Sequence, residues 1–243
     1  MILVIDSGNS RVKWGLHDGA AWRVQDSLPA GGAAQLAAAW QDLPQPRIVA
    51  IANVAGEAAR AALNAALSHW PVEARWAASQ AEQCGVKNGY VHPAQLGCDR
   101  WAALIGARHL HGGNCLVVNA GTALTVDALT HHGDFLGGII VPGLALMQQA
   151  LAANTAALKL HDGKFEALPD NTADAIYSGA LQAMCGAVER MAREMAERGF
   201  SPLCVLSGGA AQTLAPRLNL PLKLVDNLVL EGLLRIAMEE RLE

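Results

Sequence analysis

Asp6 ends an apolar run and is followed at once by Ser7, Gly8, Asn9 and Ser10, with Lys13 three residues further on. These residue types suit a hydrated cation and phosphate. Glycine lets backbone N–H groups approach an anion, a carboxylate takes a hard cation, and a lysine adds positive charge. The pattern recurs. ILVIDSGNSRVKWGL (2–16) is echoed by CLVVNAGTALTVDAL (115–129), which sets Asn119 on Asp6, Gly121 on Gly8, Thr122 on Asn9 and Ala123 on Ser10 at an offset of 113. Each copy is an apolar run, a Gly-centred turn and a second β-rich run, the signature of a hairpin. Two such turns facing each other would grip a polyphosphate from both sides. The plainer readings are an Asp6 that satisfies only the amides of its own turn and a Lys13 that faces solvent.

The elements that must position these turns follow from periodicity. Residues 2–6 read as a buried strand, and Val12, Trp14 and Leu16 alternate along the returning one. An Ala-rich helix is expected from Gly31-Gly32 to about Leu43, a strand over 47–54, a helix over 57–69 and a short strand over 72–78. The segment 81–100 has little periodicity and reads as a functional loop. A helix is expected over 99–111, with Asp99 placed to cap its free N–H groups. Gly112-Gly113 then marks a boundary between domains 1–112 and 113–243. After the second hairpin, Gly137-Gly138 and Pro142-Gly143 bracket a short strand and open a helix. A polar loop (161–171) leads to a long amphipathic helix marked by Ile176, Ala180, Met184, Val188, Met191 and Met195. CVLSGGAA (204–211) reads as strand, glycine turn and helix, 221–226 as the last strand and 228–242 as a closing helix. Each half runs hairpin first, then alternating strands and helices, which points to an internal duplication of an α/β unit.

Composition narrows the class. The chain of 243 residues is 52% hydrophobic and 16% charged, with net charge −4 and no basic run. That suits a well-buried α/β enzyme and argues against binding nucleic acid through a basic surface. No apolar stretch of membrane-spanning length is free of charged or polar breaks, and the N-terminus does not read as a signal peptide. The five dispersed cysteines lack a CxxC pair and read as reduced cytosolic thiols, mostly small core residues. His109, His111, His131 and His132 lack a completing carboxylate or cysteine pattern and read as surface residues rather than a zinc set.

Taken together, DSGNSRVK (6–13), NGY with LGCDR (88–100), NAGTALT (119–125) with GGIIVPG (137–143), and SGG (207–209) resemble the type III pantothenate kinase family within the actin-like ATPase superfamily. The four segments span nearly the whole chain in the family's order. The resemblance implies an α/β, duplicated ribonuclease-H-like fold: two mixed-sheet halves with a cleft between them. It implies ATP-dependent phosphorylation of pantothenate, the first step towards coenzyme A, by a cytoplasmic homodimer whose substrate pocket lies close to the dimer interface. Neither nucleic acid nor membrane is an expected partner.

Site roles follow by resemblance. Asp6 organises Mg²⁺ through water, and Ser7, Gly8, Asn9, Ser10, Lys13, Gly121 and Thr122 hold ATP phosphates. Gly208 and Gly209 lie by the nucleotide. Asp99 is the general base, and Tyr90, Gly97, Cys98, Asp99, Arg100 and Thr172 line the pantothenate site. By position alone, Asp99 would only cap its helix, Arg100 would only make a salt bridge, Tyr90 would only anchor its loop and Thr172 would be an ordinary N-cap. The family has an aspartate where Asn119 stands, and it helps bind a monovalent cation, K⁺ or NH₄⁺. Asn119 keeps an oxygen ligand without the charge, so the expectation is a weakened cation site. Phosphatases of this fold typically carry a glutamate that orients water and are not expected to have a GxDR loop. An accessory role in transcription, known for some family members, would need no turnover.

Overall fold

The N-terminal apolar run forms β1 (Ile2–Ser7), and the chain returns as β2 (Arg11–His17), antiparallel in register from Ile2↔His17 to Ser7↔Val12. The computed structural model describes residues 1–155 and 162–239. β3 (Trp22–Pro29) follows antiparallel to β2. Next come α1 (Ala33–Trp40), β4 (Ile48–Asn53), α2 (Glu57–Leu67) and β5 (Ala74–Trp76). The short strands β6 (Glu82–Gln83) and β7 (Val86–Asn88) precede α3 (Cys98–Leu110). The second hairpin is β8 (Cys115–Ala120) and β9 (Ala123–Leu129), followed by β10 (Asp134–Pro142) and α4 (Leu144–Asn154). α5 (Thr172–Glu197), β11 (Leu203–Ser207), α6 (Ala211–Leu214), β12 (Leu222–Leu224) and α7 (Leu228–Glu239) complete the described chain.

The sheets repeat one plan. The first has order β3-β2-β1-β4-β5, and the second contains β10-β9-β8-β11-β12. In both, an antiparallel hairpin is extended on one side by parallel strands. The duplication expected from the hairpin motif is therefore a duplication of topology.

Two compact units result. One comprises Met1–Gly112, His132–Phe135 and Asn227–Glu243; the other comprises Gly113–His131 and Leu136–Asp226. These differ from the sequence halves 1–112 and 113–243, because the C-terminal helix belongs with the N-terminal sheet. Leu228, Leu230, Leu233, Leu234 and Ile236 of α7 are buried, and the helix packs on α3, β1 and β4. Gly232 permits this: a Cβ there would lie 1.7 Å from the Ala102 carbonyl oxygen, so only glycine lets α7 and α3 touch backbone to backbone. Apolar burial of this extent dominates the stability of such a unit.

In the first unit, Leu3, Ile5, Trp14, Leu16, Val49 and Ile51 pack with Leu36 and Trp40 of α1 and Leu63 and Leu67 of α2. In the second, Leu116, Val118, Leu124 and Val126 pack with Leu181, Met184, Val188 and Met195 of α5. The apolar stripe of the long helix is thus largely core.

Three expectations are revised. The strand β3 was not anticipated, since WRVQDSLP alternates poorly and is only half-buried. The strand expected between the glycine pairs is longer, running from Asp134 through Gly137 and Gly138 to Pro142. The irregular segment 81–100 contains β6, β7 and a 3₁₀ turn at Pro93–Gln95. The closing helix is described to Glu239. Its expected residues 240–242, and the start of the expected 161–171 loop, lie outside the described residues. No helix among the described residues is long and apolar enough to cross a membrane.

Candidate active site

The first unit carries a carboxylate pair. Asp6 pairs directly across the hairpin with Lys13, so both side chains share one face of the sheet. Burial of the Asp6 carboxyl and, next, the nearby negative charge of Asp99 push its pKa up to about 7, against a smaller opposing pull from Lys13. Lys13 thus shares a face with Asp6 and acts on its charge. Ser7 alternates to the opposite face, is buried and leaves its Oγ without a hydrogen-bond partner, so a phosphate contact from Ser7 is limited to its backbone. The Gly8 N–H donates to the Arg11 carbonyl at 3.0 Å and closes the turn, which leaves Asn9 and Ser10 exposed at its tip. Arg11 itself is tied back to Ser27 through its guanidinium.

Asp99 stands in the first turn of α3, behind Gly97 as N-cap. Its Oδ1 accepts the Arg100 N–H at 2.8 Å. A Cβ at position 97 would lie 2.6 Å from that oxygen, so Gly97 makes room for the carboxylate. Cys98 is half-buried, and its thiol donates to the Asn53 carbonyl at 3.6 Å; burial, chiefly, pushes its pKa up. Arg100 is buried, its Nη1 donating to the Tyr90 hydroxyl at 2.9 Å. The guanidinium lies 5.7 Å from the Tyr90 ring centre and 6.0 Å from that of Phe135, and the two rings are 5.5 Å apart. A guanidinium held by a hydroxyl and two ring faces keeps a fixed orientation, which suits recognition of a carboxylate.

The second unit carries the other turn. The Gly121 N–H donates to the Ala123 carbonyl at 2.9 Å. Ala120 pairs with Leu124 and Asn119 with Thr125, whereas in the first copy Ser7 pairs with Val12 and Asp6 with Lys13. The second turn is one residue shorter, so the constant offset of 113 fails after the glycine. Lys13 therefore corresponds to Thr125, and the charged pair of the first copy becomes a neutral pair in the second. Thr122 is exposed at this turn, and its carbonyl accepts the Gly143 N–H at 2.8 Å.

The SGG turn meets the same place. Ser207 pairs with Asn119, and the Ala210 N–H donates to the Ala120 carbonyl at 3.0 Å. Gly208 has φ of +101°, and a Cβ there would come within 2.5 Å of that carbonyl oxygen. The second unit thus brings Asn119, Gly121, Thr122, Gly208 and Gly209 to one sheet end. Thr172 lies on a groove of about 840 Å³ lined also by Pro142, Met147, Leu151 and Ile176. Thr172 is not the N-cap of α5. Asn171 is, its side chain accepting the Asp174 N–H at 3.0 Å.

Phe135 lies outside every motif, and Asn88, the first residue of the NGY segment, carries no assigned role there. Both come into view through the pairing of β10 with β7, where Phe135 faces Asn88. Among the described residues no group of three or more His, Cys, Asp or Glu could hold a metal ion by itself. Of the four motif histidines, His109, His131 and His132 are exposed and His111 half-buried. A Mg²⁺ ion fits Asp6 nonetheless, since such ions bind through one or two carboxylates completed by water and phosphate oxygens, and two neighbouring carboxylates favour a cation.

Comparisons with known proteins identify the family. Residues 2–194 match the family model for type III pantothenate kinase. A type III pantothenate kinase of Nitrosospira multiformis is 53% identical over 240 residues, covering 98% of this chain and 92% of that one. One from Aromatoleum aromaticum is 51% identical, covering 99% of both. Among solved structures, component A of the (R)-2-hydroxyglutaryl-CoA dehydratase of Acidaminococcus fermentans superposes with a TM-score of 0.57 at 14% identity, covering 98% of this chain and 96% of that one. MreB5 of Spiroplasma citri superposes at 0.50 with 11% identity, covering 95% and 94%. The fold is that of the actin-like ATPases, and the chain belongs to the type III pantothenate kinase family.

Proposed function

We propose that this chain transfers the terminal phosphoryl group of ATP to the hydroxyl of pantothenate, giving 4'-phosphopantothenate in the first step of coenzyme A synthesis. The observation that carries the reading is the buried Arg100 fixed by Tyr90, next in the chain to an Asp99 whose charge acts on Asp6. Arg100 and Tyr90 engage the acid substrate, with Gly97 and Cys98 beside them. The Asp99 carboxylate accepts the hydroxyl proton as the oxygen bonds to phosphorus and the bond to the ADP oxygen breaks.

Asp6 would hold Mg²⁺ through water. When bound, that ion neutralises charge developing on the phosphates. Lys13, the backbone at Ser7 and Gly8, and the Asn9 and Ser10 side chains hold phosphate in the first hairpin, and Gly121 and Thr122 do so in the second. Gly208 and Gly209 lie by the nucleotide. A monovalent cation, K⁺ or NH₄⁺, would be held only weakly at Asn119. The working form is a cytoplasmic homodimer in which Thr172 contributes to the substrate site.

A coupled assay with ATP, Mg²⁺ and pantothenate tests this reading. ADP release that depends on pantothenate supports it. ATP hydrolysis indifferent to pantothenate, or no turnover at all, overturns it.

A further inference from the structure

We infer that Asn88 is a positioning residue for the acid substrate, acting with Phe135 on the Arg100–Tyr90 pair. The segment from Ala81 to Gly97 has only short strands and a 3₁₀ turn to hold its shape, so side-chain hydrogen bonds must do so. Asn88 makes three. Its Nδ2 donates to the Gln80 carbonyl at 3.1 Å and the Pro93 carbonyl at 3.2 Å, and its Oδ1 accepts the Tyr90 N–H at 3.0 Å. Its backbone N–H donates to the Ala81 carbonyl at 2.9 Å. One amide thus ties the entry, middle and exit of the loop and fixes the backbone on which Tyr90 stands. Asparagine offers two donors and an acceptor in a rigid plane, which a hydroxyl or carboxylate here would not reproduce.

Phe135 completes the frame. It pairs with Asn88 across β10 and β7, is 1% exposed, and sets its ring against both Tyr90 and the Arg100 guanidinium. Neither Asn88 nor Phe135 needs to touch substrate. Together they hold the phenol and the guanidinium in one geometry before the acid arrives, which lowers the ordering cost of binding.

The inference rests on Arg100 and Tyr90 being substrate contacts, and the experiment separates the two claims. Asn88→Ala, Arg100→Lys and the double variant are compared for pantothenate KM, ATP KM, kcat and Tm. Asn88→Ala is expected to raise pantothenate KM about tenfold, as lost preorganisation does, with kcat and ATP KM changed less than about twofold. Arg100→Lys is expected to raise it too, and the double variant to add little, because both losses act on one geometry. Phe135→Leu stays apolar but removes the ring, and it should move pantothenate KM in the same direction should Asn88→Ala fail to fold. The positioning role is overturned, with the substrate reading intact, by any of three results in folded variants. Asn88→Ala and Phe135→Leu could leave pantothenate KM unchanged while Arg100→Lys raises it. They could raise ATP KM or lower kcat as much. The effects of Asn88→Ala and Arg100→Lys could simply add. An Arg100→Lys variant with normal pantothenate KM overturns the substrate reading and the inference with it.

Discussion

At the scale of single residues, the two hairpins differ by one charge pair. Asp6 faces Lys13, while Asn119 faces Thr125. On the proposed function the first turn would hold a divalent ion and phosphate, whereas the second offers only neutral oxygens and backbone N–H groups. Weak K⁺ dependence follows, because a neutral amide attracts a cation far less than a carboxylate does. Turnover measured with and without K⁺ should differ little in the natural chain. Asn119→Asp should introduce activation by K⁺, and strong activation of the natural chain would contradict the argument. Asp6 also bears a cost. Its pKa of about 7 in the fold exceeds its ordinary 3.8, so the native state holds a proton more tightly than the unfolded chain. Stability from this group is present at acid pH and is lost as pH rises from about 4 to about 7. In metal-free buffer, Asp6→Asn should melt a few degrees above the natural protein at pH 8, with the gap closing at pH 4, while phosphoryl transfer is lost. Equal melting at both pH values would remove the strain. Asp99→Asn, by contrast, should lower kcat by about 10²–10⁴ with little change in either KM, the size expected of a lost general base. Near-normal kcat would take Asp99 out of that role.

At the scale of elements, the glycine turns decide how close the strands and helices come. Gly208 adopts a left-handed φ and lies against the Ala120 carbonyl. Gly208→Ala must push the SGG turn away from the second hairpin, so ATP KM should rise about tenfold or more, as a displaced binding turn implies, and Tm should fall. A variant with normal ATP KM would show that the turn does not bear on nucleotide. Much of this was legible beforehand. Both hairpins, the helices after them and the strand before SGG carry strong periodicity or clear breakers, and they lie where the pattern puts them. The missing parts share a cause. β3 is a half-buried edge strand with little alternation. The one-residue shortening of the second turn shows only in strand register. The return of α7 to the first sheet depends on backbone contact at Gly232, which no periodicity reports. Among site residues, Asp6, Asp99 and Arg100 announce themselves by type and motif, while Phe135 becomes relevant only through a strand pairing across 47 positions of sequence.

At the scale of the whole molecule, the apolar surface of α4 and its neighbours bears on assembly. Leu146 and Leu151 are 42% and 41% exposed, Ile140 is 60% exposed, and the groove beside them is lined by Met147 and Ile176. Large apolar side chains left exposed near an apolar groove suit a second protein surface better than water. A second copy of the chain is the occupant we propose, since an isologous interface pairs one apolar patch with itself and a stable one removes roughly 800 Å² per partner. Thr172 lines the same groove, so the substrate role proposed for it would tie assembly to substrate binding. Light scattering on the natural chain should therefore give twice the 25.5 kDa of one copy. Ile176→Glu would place a charge in that interface, and it should yield monomers that keep their fold but show a raised pantothenate KM, with ATP KM less affected. A natural chain that stays monomeric at micromolar concentration would refute the interface. A monomeric variant with normal pantothenate KM would leave the interface standing and show that each subunit completes its substrate site alone.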